Sequence, residues 1–167
     1  MEQRESVIRQ QLTQFILAGQ ADFYRLAYSY VKNPDAALDV VQESIVRALS
    51  KAGSLRQPDR MKAWFYRILL NESMNHHRHS SRLVCLDAAL EQQAVPARDH
   101  AAYLDLYDAI ERLNLNEQTV VRLRFFQDMT LEEIAQATGT NLNTVKSRLY
   151  KSLHRLRELT GEEVSYE

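Results

Sequence analysis

Apolar residues recur at helical spacing through most of the chain. The segment NPDAALDVVQESIVRALSKAG, residues 33–53, opens on Asn33-Pro34, which is typical of a helix start, and reaches Gly53, a plausible stop. Its apolar stripe is Ala37, Val40, Val41, Ile45 and Leu49. A second stripe, starting after Pro58, is Met61, Phe65, Ile68 and Leu69. With weaker helical patterns at 2–17 and 20–32, the first half is predicted to consist of helices, with Phe65 in the core.

The last third has the pattern of four short helices, at about 103–113, 116–126, 130–138 and 141–159. Asn116 and Thr130 are the expected caps, and Thr130 with Glu133 matches a capping box. Between the halves, residues 81–104 contain Pro96, lose clear periodicity and turn acidic. The predicted fold is all-α, with two small helical domains at 1–82 and 105–167 joined by a flexible linker at 83–104. The pattern leaves the relative placement of the domains open.

The segment TLEEIAQATGTNLNTVKSRLYKSL has the layout of a helix-turn-helix. Gly139 lies at the expected turn, where a residue without Cβ can adopt positive φ, and Asn141 can cap the second helix. Val145, Leu149, Leu153 and Leu156 recur at helical spacing and should face the core. The opposite face then carries Asn143, Ser147, Tyr150 and His154. Lys146, Arg148 and Lys151 flank it.

Positive charge is concentrated on this second helix. Residues 141–157 contain five cations and no acid, although the chain as a whole has 21 Lys and Arg against 22 Asp and Glu. Cations can hold phosphates while short polar groups near a helix start read base edges in the major groove. The alternative is a solvated basic face on an ordinary helix, and the capping box, turn glycine and small Ala135 together favour DNA binding.

Composition excludes several other classes. A single cysteine, Cys85, together with no signal-peptide pattern and no membrane-spanning apolar run, predicts a cytoplasmic protein. There is no Gly-rich phosphate loop, zinc-protease motif or nucleophile elbow, so no catalytic residue, cofactor or enzyme activity is predicted. His76, His77, His79 and Cys85 could suggest a metal site, but adjacent histidines point about 100° apart, which disfavours tetrahedral coordination. We expect no metal there.

Three segments of the sequence resemble a known family. FYRLAYSYVKNPDAALDVVQESIVRAL, with Asp39, Gln42 and Glu43 in the pattern D-x-V-Q-E, is similar to region 2 of the extracytoplasmic-function sigma factors, the smallest sigma-70 relatives. AWFYRILLNESMNHHRH continues that similarity, and LNLNEQTVVRLRFFQDMTLEEIAQATGTNLNTVKSRLYKSL is similar to region 4. The chain departs from the family pattern at Leu142, a position that is often polar, and before Phe23, where the N-terminal segment is compressed.

The resemblance implies a transcription initiation factor without chemistry of its own. Region 2 would dock on the clamp coiled coil of the largest subunit of core RNA polymerase and open the −10 element. Region 4 would bind the −35 element as duplex and touch the flap of the second-largest subunit. The residues carried over are Asp39, Gln42 and Glu43 for polymerase binding; Leu55, Arg56, Arg67, Asn71 and Asn75 for the −10 element; and Asn143, Lys146, Ser147, Arg148, Tyr150 and Lys151 for the −35 element.

Two further expectations concern partners. No long extension follows region 4, which predicts that the chain lacks a sensory domain and is held by an anti-sigma factor instead. The main alternative is an ordinary helix-turn-helix regulator with a helical sensory or dimerising domain, which would bind its operator alone. The D-x-V-Q-E and W-x-x-R segments favour the sigma factor over this regulator.

Overall fold

The computed structural model describes residues 1–87 and 105–161. These residues form helices and contain no strand, which confirms the all-α prediction. Three long helices come first: α1 (Glu2–Val31), α2 (Pro34–Ser50) and α3 (Met61–Asp87). Four shorter ones follow: α4 (Leu106–Glu111), α5 (Leu115–Val121), α6 (Leu131–Thr138) and α7 (Leu142–Thr160). Two 3₁₀ turns, Ala52–Ser54 and Pro58–Arg60, join α2 to α3, and a π-helical turn, Arg122–Phe126, continues α5.

The first helix is one continuous element, so the prediction of separate helices at 2–17 and 20–32 is wrong. Gly19 does not interrupt α1, because the Phe23 ring lies directly over its backbone. A Cβ at position 19 would stand only 2.4 Å from Phe23 Cζ. The glycine therefore makes room for a core side chain one turn later and is not a helix stop.

An aromatic cluster fills the centre of the N-terminal unit. The rings of Phe23 and Phe65 have centroids 4.5 Å apart, and Phe15 and Tyr66 pack around them at 5.5 Å from Phe23. Phe65 is fully buried, as the sequence predicted. Since Phe15 and Phe23 lie on α1 while Phe65 and Tyr66 lie on α3, the cluster fixes these two helices against each other.

Helix ends follow local cap chemistry, with one correction. Asn33 caps α2 as predicted, its Oδ1 accepting from the Ala36 amide at 3.0 Å. The cap of α5 is Asn114, whose Oδ1 accepts from the Glu117 amide at 2.9 Å, so the prediction of Asn116 is wrong.

Helix α3 runs to Asp87 and thus passes the domain boundary predicted at residue 82. Most of the predicted linker, residues 88–104, lies outside the described residues.

The two helical units pack against each other through α3 and α6 and share a continuous apolar core. Three hydrogen-bond contacts join them. The Tyr66 hydroxyl donates to Gln127 Oε1 at 2.6 Å, Lys62 Nζ donates to the Gln127 carbonyl, and the Tyr30 hydroxyl bonds Thr119 Oγ1. Burial raises the pKa of both Tyr30 and Tyr66, which keeps these hydroxyls protonated as donors. The structure therefore settles what the sequence left open and shows a closed arrangement.

Candidate nucleic-acid interface

The recognition helix α7 begins with well-formed local structure. Thr130 and Glu133 form the predicted capping box at the start of α6, and Gly139 ends α6 with φ of 67°. Asn141 Oδ1 then accepts from the Thr144 amide at 2.8 Å and opens α7. These caps stabilise the turn between the two helices, because each satisfies backbone groups that would otherwise be left without hydrogen bonds.

The outer face of α7 lies as the periodicity predicts. Val145 and Leu156 are buried, and Leu149 and Leu153 are half-buried on the same side. The predicted DNA-facing residues Asn143, Lys146, Ser147, Tyr150 and Lys151 are exposed, whereas Arg148 is half-buried. None of the three predicted cations makes an ion pair with an acid among the described residues. The face therefore offers unneutralised charge around short polar side chains, which suits phosphate and base-edge contact.

The loop between α2 and α3 forms one side of a cavity of about 450 Å³. Arg56, Arg60 and Arg67 line it with Trp64, and the Arg56 carbonyl accepts from Arg4 Nη2 at 2.8 Å, which ties the loop to α1. Leu55 also lines the cavity but is only 5% exposed, so its side chain belongs mainly to the core and supports the loop. The cavity is thus a cationic recess with an aromatic wall.

The other two predicted −10 residues lie further along α3, in a second cavity. Asn71 and Asn75 are exposed and share a recess of about 290 Å³ with Arg47, Lys51 and Arg78. The structure therefore divides the predicted −10 set, placing Arg56 and Arg67 at the first cavity and the two asparagines at the second. Both recesses open along one helix, as expected for residues spaced four apart.

Sequence reasoning missed several residues at these cavities. Arg60 lies in the 3₁₀ turn just before α3 and precedes Arg67 by seven positions, two turns of an ideal helix, a spacing that could have identified it. Arg47 is oriented by Glu72, whose Oε1 lies 2.8 Å from Arg47 Nε. Gln136 reaches the first cavity from α6 in the other unit, and no local pattern signals such a contact.

The predicted polymerase-binding residues share an exposed face of α2. Asp39, Gln42 and Glu43 all face solvent, while Val40 and Ser44 are buried on the opposite side. Glu43 Oε1 accepts from Arg47 Nε at 3.1 Å. Two apolar side chains are exposed on the same helix, Leu38 and Val46, at 49% and 61%. A polar face beside exposed apolar side chains is typical of a protein-binding surface.

The histidine-rich part of α3 contains His76, His77, His79 and Cys85, the residues that could suggest a metal site. Among the described residues no cluster of three His, Cys, Asp or Glu could hold an ion. His77 Nδ1 donates instead to the Tyr30 carbonyl at 2.9 Å, at the end of α1. The Cys85 side chain lies outside the described residues. Among the described residues, no helix has the length and hydropathy of a membrane span.

Comparison with known proteins agrees with this layout. The family model for Sigma-70 region 2 matches residues 15–83, and the one for Sigma-70, region 4 matches residues 103–156. RNA polymerase sigma factor SigV of Bacillus subtilis is 47% identical over 146 residues, covering 86% of this chain and 88% of that protein. ECF RNA polymerase sigma factor SigE of Mycolicibacterium smegmatis is 28% identical over 151 residues, covering 85% of this chain but 58% of its own length.

A solved structure shows the same architecture. The sigma factor RpoE of Bartonella quintana, crystallised with the anti-sigma factor NepR, matches with a TM-score of 0.74 and 25% identity, covering 91% of this chain and 98% of that one. Both helical units and their order are therefore shared. The chain belongs to the extracytoplasmic-function sigma factors of the sigma-70 family.

Proposed function

We propose that this chain is a sigma factor that binds core RNA polymerase and directs transcription initiation at promoters with a −35 and a −10 element. The observation that carries the proposal is the presence, on one chain, of three separate surfaces: the unneutralised outer face of α7, the cationic recesses along α3 and the exposed polar face of α2. A single-site DNA-binding protein needs only the first. No catalytic step or cofactor is assigned to it.

The −35 element is the proposed ligand of α7. Asn143 and Ser147 lie in the first two turns, where a helix entering the major groove brings side chains to base edges. Lys146, Arg148 and Lys151 flank them and would hold phosphates on either side. Tyr150 is 68% exposed and offers an aromatic surface to a thymine methyl or a sugar.

The −10 element is the proposed ligand of the two recesses on α3. An unstacked base entering the first recess would meet Trp64 and the guanidinium groups of Arg56 and Arg67, which can stack or hold phosphate. Asn71 and Asn75 would pair with base edges at the second. Binding an extruded base stabilises the separated strand, so the promoter can open without ATP. Leu55 supports the loop from the core.

The α2 face is the proposed polymerase contact. Asp39 and Glu43 bring negative charge that complements a basic coiled coil, with Gln42 between them. The flap of the second-largest subunit would contact the C-terminal unit, where Leu106 and Phe125 are exposed. Because its partner is the polymerase, we place the protein in the cytoplasm.

An anti-sigma factor is the proposed regulator. The support is the structural neighbour RpoE of Bartonella quintana, which was crystallised with its anti-sigma factor NepR. Residues 1–82 and 105–167 remain the proposed functional domains, with 83–104 connecting them. A partner that contacts both would keep the polymerase-binding face or the DNA-binding faces covered.

Transcription by purified core RNA polymerase across a promoter library tests the proposal. We expect initiation from a defined −35/−10 pair only when the chain is added, and loss of that activity in an Asp39→Arg/Glu43→Arg variant, since charge reversal on α2 opposes docking. A control is Glu132→Arg, which reverses the charge of an exposed acid on α6, outside that face. Sequence-specific DNA binding by the chain alone, with no polymerase binding, would instead support a helix-turn-helix regulator.

A further inference from the structure

A cleft of about 420 Å³ lies between α1 and the C-terminal unit. Tyr24 and Tyr28 line it from α1, with ring centroids 6.0 Å apart and planes at 26°. Tyr107 and Phe126 line it from the other unit, with centroids 6.1 Å apart and planes again at 26°. The volume falls in the range of small-molecule sites, and two aromatic pairs supply flat apolar walls.

The aromatic side chains that line the cleft from the C-terminal unit are highly exposed to solvent. Tyr107 is 67% exposed and Phe126 40% exposed. Neither the DNA-binding face of α7 nor the polar face of α2 includes them. An apolar recess that retains exposed aromatic surface from two separate units is consistent with a ligand site and gives no benefit to folding.

Arg122 supplies the polar anchor of the cleft. Its Nε is buried and has no hydrogen-bond partner among the described residues, although the residue lines the cavity. Burial lowers the pKa of this guanidinium, while Glu111 and Tyr30 nearby raise it. No described acid forms an ion pair with Arg122. Because the Arg122 guanidinium lines the cavity and has no acid paired with it among the described residues, an anionic oxygen of a ligand in the cleft would accept a charge-assisted hydrogen bond from it.

The remaining charges around the cleft leave it positive. Asp22 is paired with Arg25 at 3.5 Å, so the two cancel. Lys32 and Arg122 then face one acid, Glu111. The net positive charge of the cleft favours a ligand with one negative charge. A neutral or cationic ligand would leave that positive charge uncompensated.

We propose that this cleft binds a small planar aromatic molecule carrying one carboxylate group. The ring would lie against the tyrosine pair of α1 and the Tyr107–Phe126 pair, and the carboxylate would accept from the Arg122 guanidinium. Because the two walls belong to different units, the ligand contacts both only in the closed arrangement and stabilises it. A small molecule bound in the cleft would thus favour the closed arrangement of the two units, independently of any protein partner. The inference concerns the isolated chain and does not rest on the proposed function.

Titration calorimetry on the full chain with 2-naphthoate tests the site. We expect 1:1 binding that is about tenfold weaker in Arg122→Gln, because a charge-assisted hydrogen bond is lost. Arg112→Gln, which removes an exposed arginine outside the cleft, should change the affinity by less than about twofold. The neutral isostere 2-naphthamide should bind at least about tenfold more weakly than 2-naphthoate, since it lacks the charge.

A second pair of variants tests the aromatic wall. Tyr107→Ala should weaken 2-naphthoate binding about fivefold or more, whereas Phe125→Ala, an exposed aromatic on the adjoining turn that does not line the cleft, should leave it unchanged. Tyr107 is largely exposed, so this variant carries the test if Arg122→Gln fails to fold. The proposal is overturned by no binding at millimolar 2-naphthoate, by equal binding of 2-naphthamide, or by wild-type affinity in Tyr107→Ala.

Discussion

Gly19 should be intolerant of even one added methyl group. In the middle of an exposed helix, Gly→Ala stabilises by about 1 kcal/mol because alanine has the better helix propensity. Here the added Cβ would lie 2.4 Å from Phe23 Cζ and 2.8 Å from Cε1, inside van der Waals contact. The Phe23 ring has no free volume in which to move, because it is fully buried and packed on Phe15, Phe65 and Tyr66.

The sign of the effect follows from comparing the two terms. Overpacking a core costs about 1–3 kcal/mol, and an approach of 2.4 Å calls for the upper part of that range, about 2–3 kcal/mol. Subtracting the propensity gain of about 1 kcal/mol leaves an expected destabilisation of about 1–2 kcal/mol for Gly19→Ala. Differential scanning calorimetry would register this as a fall in Tm of about 2–8 °C for a chain of this size. Gly53→Ala is the matched control, since its Cβ would meet nothing nearer than Glu5 Oε1 at 3.8 Å.

A rescue variant separates the clash from any other cause. Leucine at position 23 is smaller near the Gly19 backbone, so Phe23→Leu should lower the stability of the wild type more than it lowers that of Gly19→Ala. The coupling energy from the double-mutant cycle should therefore favour the double variant. If Gly19→Ala matched or exceeded the wild type in Tm, the Phe23 ring would be free to move. The explanation that Gly19 is needed in α1 to make room for Phe23 would then be refuted.

Three further predictions concern the other parts of the chain. Lys151→Ala should weaken binding to a −35 duplex and reduce its salt dependence by about one phosphate contact, measured by titration at several salt concentrations. Asn71→Ala should spare −35 binding but reduce promoter opening, measured by permanganate reactivity with core polymerase present. If both variants only lowered folding stability, these site assignments would be wrong. Tyr66→Phe should lose about 1 kcal/mol of unfolding free energy in urea denaturation, since it removes the 2.6 Å bond to Gln127; an unchanged value would mean that the bond contributes nothing to closure.

Local signals in the sequence predicted the parts of the fold that local chemistry decides. Asn33, Thr130 and Asn141 all cap the helices expected of them, because a cap depends on residues within one turn. The same reasoning failed between Asn114 and Asn116. Two asparagines two positions apart carry the same capping signal, and in the structure the earlier one, Asn114, is the cap.

Features that depend on side-chain packing could not be read from periodicity. Gly19 has the local signature of a helix stop, yet packing against Phe23 requires it inside α1. Leu55 has the position of a DNA-contacting loop residue, yet it is buried. The sequence offers no pattern that would bring Gln136 of α6 to the recess containing Arg67, since such a contact depends on how the two units dock.

The closed arrangement has a consequence for the order in which partners bind. Gln136 lines the same recess as Arg67, and Arg67 Nη2 lies 3.8 Å from the place where a Cβ on Gly139 would stand. A single strand whose path along α3 requires α6 to move away would have to break the contacts that Gln127 makes with Lys62 and Tyr66. Binding of such a strand would be weakened by the free energy that holds the closed form.

The face of α2 is not subject to that penalty. Asp39, Gln42 and Glu43 remain exposed while α3 and α6 are in contact, so a partner can dock there first. Binding energy gained on α2 or on the C-terminal unit can then offset the loss of the α3–α6 contacts, provided that the partner holds the two units apart. The closed arrangement thus leaves the proposed polymerase contact on α2 accessible, and any cost of opening applies to the proposed −10 contacts on α3 and not to the outer face of α7, which is already exposed.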